Sequence, residues 1–265
     1  MSGSRAWTLV EGTFREGAAV PVTDRGFRYG MSVFETLAVR QGRILFLDQH
    51  LTSLGIACAE AGFRAEAAKA LTGFESLPDG MLRIYVTAGD GTALASTGEC
   101  RTLAFFEPAT FPRSEDVSRG VRIAISRAPT VSVLGGWKTG NYWPRIQAFA
   151  ASRANGFDET LMLNIQGAVI SASMANVFFE FDGVLRTPAV CAGARRGVVR
   201  AWIQEMTQVE ESLLSVEDIN AADECFLTNS RLGVMPVAEI EGRCLPSIKS
   251  GEALAALYRE RILGE

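Results

Sequence analysis

Apolar residues recur at every second position in some stretches of this chain and near every third or fourth in others, and the two periods predict short strands mixed with helices. Trp7 to Phe14 and Ala18 to Val22 predict short strands, with a turn at Glu11-Gly12. Val33 to Arg40, closed by Gln41-Gly42 and followed by Arg43 to Leu47, predicts a hairpin. Leu51, Leu54, Ile56 and Ala59 lie near helical spacing, so a helix is expected from Asp48 to about Ala61, with Gly62 as its stop. A further helix over Ala65 to Leu77, then strands over Met81 to Ala88 and Arg101 to Glu107, complete an α+β N-terminal domain at 1–110.

Two prolines, Pro108 and Pro112, and the polar run Arg113 to Asp116 punctuate the chain, and a linker is expected at 111–117. A second domain at 118–265 follows. Its expected elements are a strand over Val121 to Ser126 and a helix from Pro144 to Asn155, with proline tolerated in the first turn and Gly156 as the stop. Strands over Thr160 to Asn164, Ala168 to Ser171, Asn176 to Phe181 and Val184 to Arg186 come next. A helix from Gly197 to Thr207, strands over Cys225 to Thr228 and Val237 to Ile240, and a helix from Gly251 finish the pattern.

Composition narrows the function classes. With 265 residues, 48% hydrophobic and 21% charged, the chain has ordinary globular usage and length enough for real cores. A net charge of -4 argues against nucleic-acid or anionic-membrane partners, since no basic excess exists to displace phosphate counterions. Five scattered cysteines with no Cys-x-x-Cys pair indicate neither a disulfide framework nor a zinc site. The first residues lack the apolar core of a signal peptide, and no uncharged apolar run reaches the roughly 18 residues of a membrane span. A soluble cytoplasmic protein is the expectation.

His50 is the single histidine. A Ser-His-Asp triad would have to use it, and multi-histidine metal sites are excluded. At the expected start of a helix it reads as a capping or packing residue. Acid–base work then falls to lysine, a carboxylate, tyrosine or a cofactor. Lys138 is the main candidate. It lies in Gly135-Gly136-Trp137-Lys138-Thr139-Gly140-Asn141-Tyr142, among small and aromatic residues between a β-like run and a helical one. Burial there favours the neutral amine, which attacks carbonyls; a solvated loop lysine is the alternative.

A set of motifs carries a resemblance. They include Asp24-Arg25-Gly26-Phe27-Arg28-Tyr29-Gly30, Val33-Phe34-Glu35-Thr36-Leu37, Leu47-Asp48-Gln49-His50-Leu51, Lys138-Thr139-Gly140-Asn141-Tyr142 and Gly156-Phe157-Asp158-Glu159. Ala175-Asn176-Val177-Phe178, Gly197-Val198-Val199-Arg200 and Ala222-Asp223-Glu224 continue the order. Together they resemble the class IV aminotransferases, pyridoxal-phosphate (PLP) enzymes that include aminodeoxychorismate lyase and branched-chain and D-amino-acid transaminases. The resemblance implies a two-domain α/β (α+β) architecture of PLP fold type IV, D-amino-acid aminotransferase-like, and a homodimer acting on a small amino substrate. It implies that Lys138, in the second domain, carries PLP as a Schiff base and moves the substrate's Cα proton. By the same resemblance Tyr142 and Ser171 are cofactor neighbours, and Val198, Val199 and Ser230 meet the phosphate. Arg28, Phe34 and Arg231 are the weaker candidates for substrate contacts.

The chain departs from the family pattern at several places. Ser171 stands where the family usually has the glutamate that pairs with the pyridine nitrogen, Ser53 where it has a phosphate-binding arginine, and Val199 where it has a phosphate-cup threonine. Ala88 replaces a frequent arginine, and Gly30-Met31-Ser32 replaces Gly-Asp-Gly. A charge-assisted hydrogen bond contributes about 1.5–3 kcal/mol, so the arginine's loss weakens PLP binding unless Arg195, Arg196 or Arg231 substitutes. The compact stretch Thr228 to Val237 is more like the lyases, and elimination tolerates the weaker electron sink that Ser171 provides. A lyase giving 4-aminobenzoate for folate is therefore the first reading and an amino-acid transaminase the second. The third is a family member that has lost PLP chemistry and binds another ligand.

Overall fold

In a computed structural model, residues 3–11, 13–64, 77–92, 99–130 and 136–265 are described. The chain divides into two compact units, residues 1–110 with 137–141, and residues 111–136 with 142–265. The short segment carrying Lys138 thus belongs with the first unit, where the sequence had placed it in the second. The expected helix over Ala65 to Leu77 lies outside the described residues except at its last position.

The first unit is built on β1 (Arg5–Val10), β2 (Thr13–Glu16), α1 (Arg25–Tyr29), β3 (Ser32–Arg40), β4 (Arg43–Ile44), α2 (Leu47–Glu60), β5 (Gly80–Thr87) and β6 (Arg101–Pro108). Its sheet runs β2-β1-β6-β5-β3-β4, with every pairing antiparallel. Val10 faces Thr13, so Glu11 sits at the hairpin turn. Ala18 to Val22 is irregular and exposed rather than a strand. The apolar pair Val20 and Val22 offers two-residue alternation, but both side chains face solvent and bury nothing to hold a strand.

Along β3 the period of two separates two faces. Val33, Leu37 and Val39 enter a core with Leu54, Ala57 and Cys58 of α2 and with Leu82, Ile84, Val86 and Phe106 of the neighbouring strands. Phe34 and Thr36 take the other face. β5 pairs with β3 along its whole length, whereas β4 reaches only Val39 and Arg40 on the opposite edge. The free half of that edge is taken by the Lys138 segment. Phe34 N–H donates to the Lys138 carbonyl (2.9 Å) and Gly140 N–H to the Ser32 carbonyl (2.9 Å), around a bridge between Val33 and Thr139.

The second unit comprises α3 (Ser114–Arg119), β7 (Val121–Ile125), α4 (Trp143–Ala154), β8 (Glu159–Leu163), β9 (Val169–Ala172), β10 (Asn176–Phe181), β11 (Val184–Pro188), α5 (Val198–Met206), β12 (Glu210–Ser212), α6 (Val216–Asn220), β13 (Glu224–Asn229), β14 (Gly233–Ile240), β15 (Arg243–Cys244) and α7 (Lys249–Tyr258). Part of the expected linker is therefore the helix α3, whose Asp116 carboxylate accepts from the Arg113 N–H at its start. The sheet runs β12-β11-β10-β13-β14-β7-β8-β9, with β15 on β14, and mixes antiparallel hairpins with parallel contacts of β7 to β14 and β8. Ile123, Leu161, Val177, Phe179, Leu227 and Val237 fill one core. On the other side Phe178 stacks on Phe226, and Trp202 of α5 meets Tyr258 of α7 edge-on. Among the described residues no helix is long and apolar enough to cross a membrane.

Candidate active site

In the first unit, Lys138 is half-buried. Its Nζ donates to Thr36 Oγ1 (3.1 Å) and stands 5.2 Å from the centre of the Phe34 ring. Phe34 is buried and stacks on Tyr85 with centroids 4.9 Å apart. The lysine is placed from three directions: its carbonyl is pinned to β3, Trp137 before it donates its indole N–H to Glu60 of α2, and Asn141 after it donates to the Gly30 carbonyl (3.3 Å). Gly30 ends α1 in the left-handed region at φ 68°, and a Cβ there would overlap the Asn141 side chain. Thr36 was not singled out by the sequence. The alternation of β3 holds the signal, because Phe34 and Thr36 share a face two residues apart.

The other face of β3 holds a separate polar cluster. Glu35 is buried, its Oε2 2.8 Å from His50 Nδ1, while Ser53 Oγ donates to Oε1 (3.0 Å). His50 therefore joins helix to sheet, in line with a packing role. Ser53 is turned to Glu35, on the side of the strand away from Thr36. Arg28 is exposed on α1, its guanidinium 4.8 Å from the Tyr29 ring and bonded to the Gly91 carbonyl (3.4 Å).

In the second unit, the strip from Ser171 to Asn176 gathers the remaining candidates. Arg145, in the first turn of α4, donates through one terminal nitrogen to Ser171 Oγ (3.0 Å), the Ala172 carbonyl (3.1 Å) and the Ser173 carbonyl (3.2 Å). Its guanidinium also lies 5.9 Å from the centre of the Tyr142 ring. Burial pushes the Arg145 pKa down, and the nearby positive charge of Arg195 adds to that, against the opposing influence of Tyr142 and Glu159. Sequence reasoning missed Arg145. A long cation three residues after Tyr142 reads as an exposed helix residue until the fold brings Ser171 beneath it.

Glu159 closes the same strip. Its buried carboxylate accepts from the Ser173 hydroxyl and from the amides of Thr160 (2.8 Å), Met174 (3.1 Å) and Ser173 (3.2 Å). Burial raises its pKa, with those hydrogen bonds pulling the other way. Asn229 donates to the Met174 carbonyl (3.0 Å) and accepts from Arg231 N–H (2.9 Å) and Leu232 N–H (2.7 Å), so the turn holding Ser230 and Arg231 is tied to the strip. Arg231 itself is exposed.

Asn176 donates to the Arg195 carbonyl (2.8 Å), fixing the turn that leads into α5. A Cβ at Gly197 would overlap the Asn176 side chain, so only glycine fits this approach. Helix α5 starts without a side-chain cap and with no acidic residue in its first turn. Its first amides, those of Val198 and Val199 among them, have no partner within the helix and form the positive end of its dipole.

Comparisons with known proteins agree on one family. The profile of the family described as Amino-transferase class IV matches residues 32–240. The chain is 28% identical to an aminodeoxychorismate lyase of Bacillus subtilis over 96% of its own length and 94% of the relative's. It is also 28% identical to a putative branched-chain-amino-acid aminotransferase of Methanocaldococcus jannaschii, over 89% of the chain and 87% of the relative. Among solved structures, the 4-amino-4-deoxychorismate lyase of Pseudomonas aeruginosa superposes with a TM-score of 0.86 at 28% identity, covering 97% of this chain and 98% of the other.

Proposed function

The chain belongs to the class IV aminotransferases, PLP-dependent enzymes, and on that premise we propose that it is a lyase of the aminodeoxychorismate type, which releases pyruvate and leaves 4-aminobenzoate. The residues present suit PLP. An uncapped helix start free of carboxylates, with Arg195 beside its turn, matches a dianionic phosphate, and a half-buried amine bonded to a hydroxyl is available for the aldehyde.

In this reading Lys138 attaches PLP, and the amides of Val198 and Val199 with the Ser230 hydroxyl hold its phosphate. Tyr142 and Ser171 adjoin the ring. When bound, PLP supplies a sink for the electron pair left behind as the substrate's Cα proton departs. The protein supplies the proton carrier, Lys138 Nζ. The Thr36 hydroxyl keeps that amine over the Phe34 ring and accepts one of its hydrogens (3.1 Å), so the third and fourth positions on nitrogen stay aimed elsewhere. Phe34 excludes water from one side of the amine. Arg28 and Arg231 supply cations for substrate carboxylates.

The observation that carries lyase over transaminase is Ser171, a neutral hydroxyl with a guanidinium donor behind it where a carboxylate would deepen the electron sink. Elimination expels its leaving group at once and needs that sink only briefly. Equal identity to a branched-chain aminotransferase favours transamination as the second reading. The test is 4-aminobenzoate release from aminodeoxychorismate, measured beside keto-acid exchange with branched-chain and D-amino acids. Release that is lost in Lys138→Ala supports the proposal; exchange without release replaces it with the second reading. A homodimer and a cytoplasmic location belong to the same proposal, and light scattering on the purified protein tests the first.

A further inference from the structure

Arg145 has an unusual task for a helix arginine, because it bonds no carboxylate within its own strip. One terminal nitrogen reaches three oxygens, two of them carbonyls of Ala172 and Ser173 and the third the Ser171 hydroxyl. A guanidinium has donors only, so Ser171 Oγ must accept from Arg145. The hydroxyl hydrogen is thereby directed away from the guanidinium. The two carbonyls hold the cation in place and prevent it from turning aside, and Ser171 is buried, so bulk water does not compete for that hydrogen.

We propose that Arg145 is a positioning residue which makes the Ser171 hydroxyl a donor toward the ring nitrogen of bound PLP, so that this nitrogen is met as an acceptor and stays unprotonated. The inference rests on the reading of Ser171 as the neighbour of that nitrogen. Two features of the geometry support it beyond the missing carboxylate. A protonated ring nitrogen would have to share one hydroxyl oxygen with a second positive donor, and like charges so close oppose protonation. Of the nearby groups, Tyr142 and Glu159 act against the positive charge that Arg195 adds beside Arg145, and the Glu159 carboxylate is turned to Ser173 and to the amides of Thr160, Ser173 and Met174 rather than to the Ser171 hydroxyl. The unprotonated ring then becomes a property built by two side chains rather than a mere consequence of losing one.

The experiment is 15N NMR of the holoenzyme reconstituted with PLP labelled at the ring nitrogen, recorded from about pH 6 to pH 9, with Lys138 attachment verified by borohydride trapping and peptide mapping. The expected result is an unprotonated, hydrogen-bonded nitrogen throughout in the unaltered protein. Arg145→Gln removes the charge and should raise the nitrogen's apparent pKa by about one to three units. Arg145→Lys keeps the charge and should restore the unprotonated signal, which a purely structural role would not do. Ser171→Ala should remove the displacement that the hydroxyl's hydrogen bond gives the nitrogen signal, and a signal unchanged by this variant also overturns the inference. PLP trapped on Lys138 with a protonated nitrogen, or an Arg145→Gln titration identical to the parent's, overturns this inference and leaves the proposed enzyme standing. Failure to trap PLP on Lys138 overturns both.

Discussion

Glu35 and Glu159 are both buried carboxylates, one in each unit, and they are satisfied by opposite means. Glu35 meets two side chains of α2, those of His50 and Ser53, which lie 15 and 18 residues further along the chain. Glu159 takes three backbone amides and one hydroxyl, all from its own residue boundary or the Ser173–Met174 turn. The first carboxylate ties a helix to the back of the strand that presents Thr36. The second closes the turn next to Ser171. A buried polar group can thus fix a reactive position either by joining two elements or by shaping one loop, and the two designs should fail differently.

The most damaging change should be Glu159→Ala. It leaves several buried donors unpaired, and a fall in stability of about 3 kcal/mol is expected by urea denaturation. Turnover in whichever reaction the enzyme performs should fall with it because the Ser171 strip loosens; unchanged turnover in the surviving folded protein would sever that link. Glu35→Ala should cost about 2 kcal/mol, since the side chains of His50 and Ser53 lose a shared acceptor. A loss as large as that of Glu159→Ala would erase the contrast.

Two substitutions, one on β3 and one on α2 behind it, sharpen it further. Thr36→Val keeps the volume but removes the hydroxyl from Lys138, so kcat should drop roughly tenfold, about 1.4 kcal/mol, with the urea midpoint held. Ser53→Ala should do the reverse, lowering stability by about 1 kcal/mol with kcat unchanged. The smallest effect concerns pH. Burial raises the Glu159 pKa from its usual 4.5, so the native state binds that proton more tightly than the unfolded chain. Its contribution is complete below about pH 4.5 and is lost as pH rises through the raised value. Urea midpoints followed upward from pH 4.5 should decline less in Glu159→Gln than in the parent, and parallel curves would show that the carboxyl does not titrate in that window.

Much of the fold was legible because its elements are long or sharply bounded. The period of β3, the Ala-rich run of α4 between Pro144 and Gly156, and the turn at Asp182-Gly183 each leave a local signature. Short helices left none: α1 and α6 span five residues each and are held by Asp24 and Ser215 caps rather than by an apolar stripe. Ala18 to Val22 imitated a strand because alternation alone does not reveal that nothing packs on it. In the proposed site, Lys138 is suggested by its sequence neighbours and by the family resemblance. Thr36 and Arg145 are not, since their meaning arises from contacts 102 and 26 residues away in sequence.

The hydrogen bonds from Lys138 and Gly140 to β3 have one more consequence. They occupy the half of that strand's edge which β4 leaves open, and an open edge is a template on which another chain can add a strand. The segment that carries Lys138 therefore also shields the sheet from intermolecular pairing. Substitutions that let this segment peel away expose the backbone of Ser32 to Phe34, and self-association then accompanies the loss of the amine's placement.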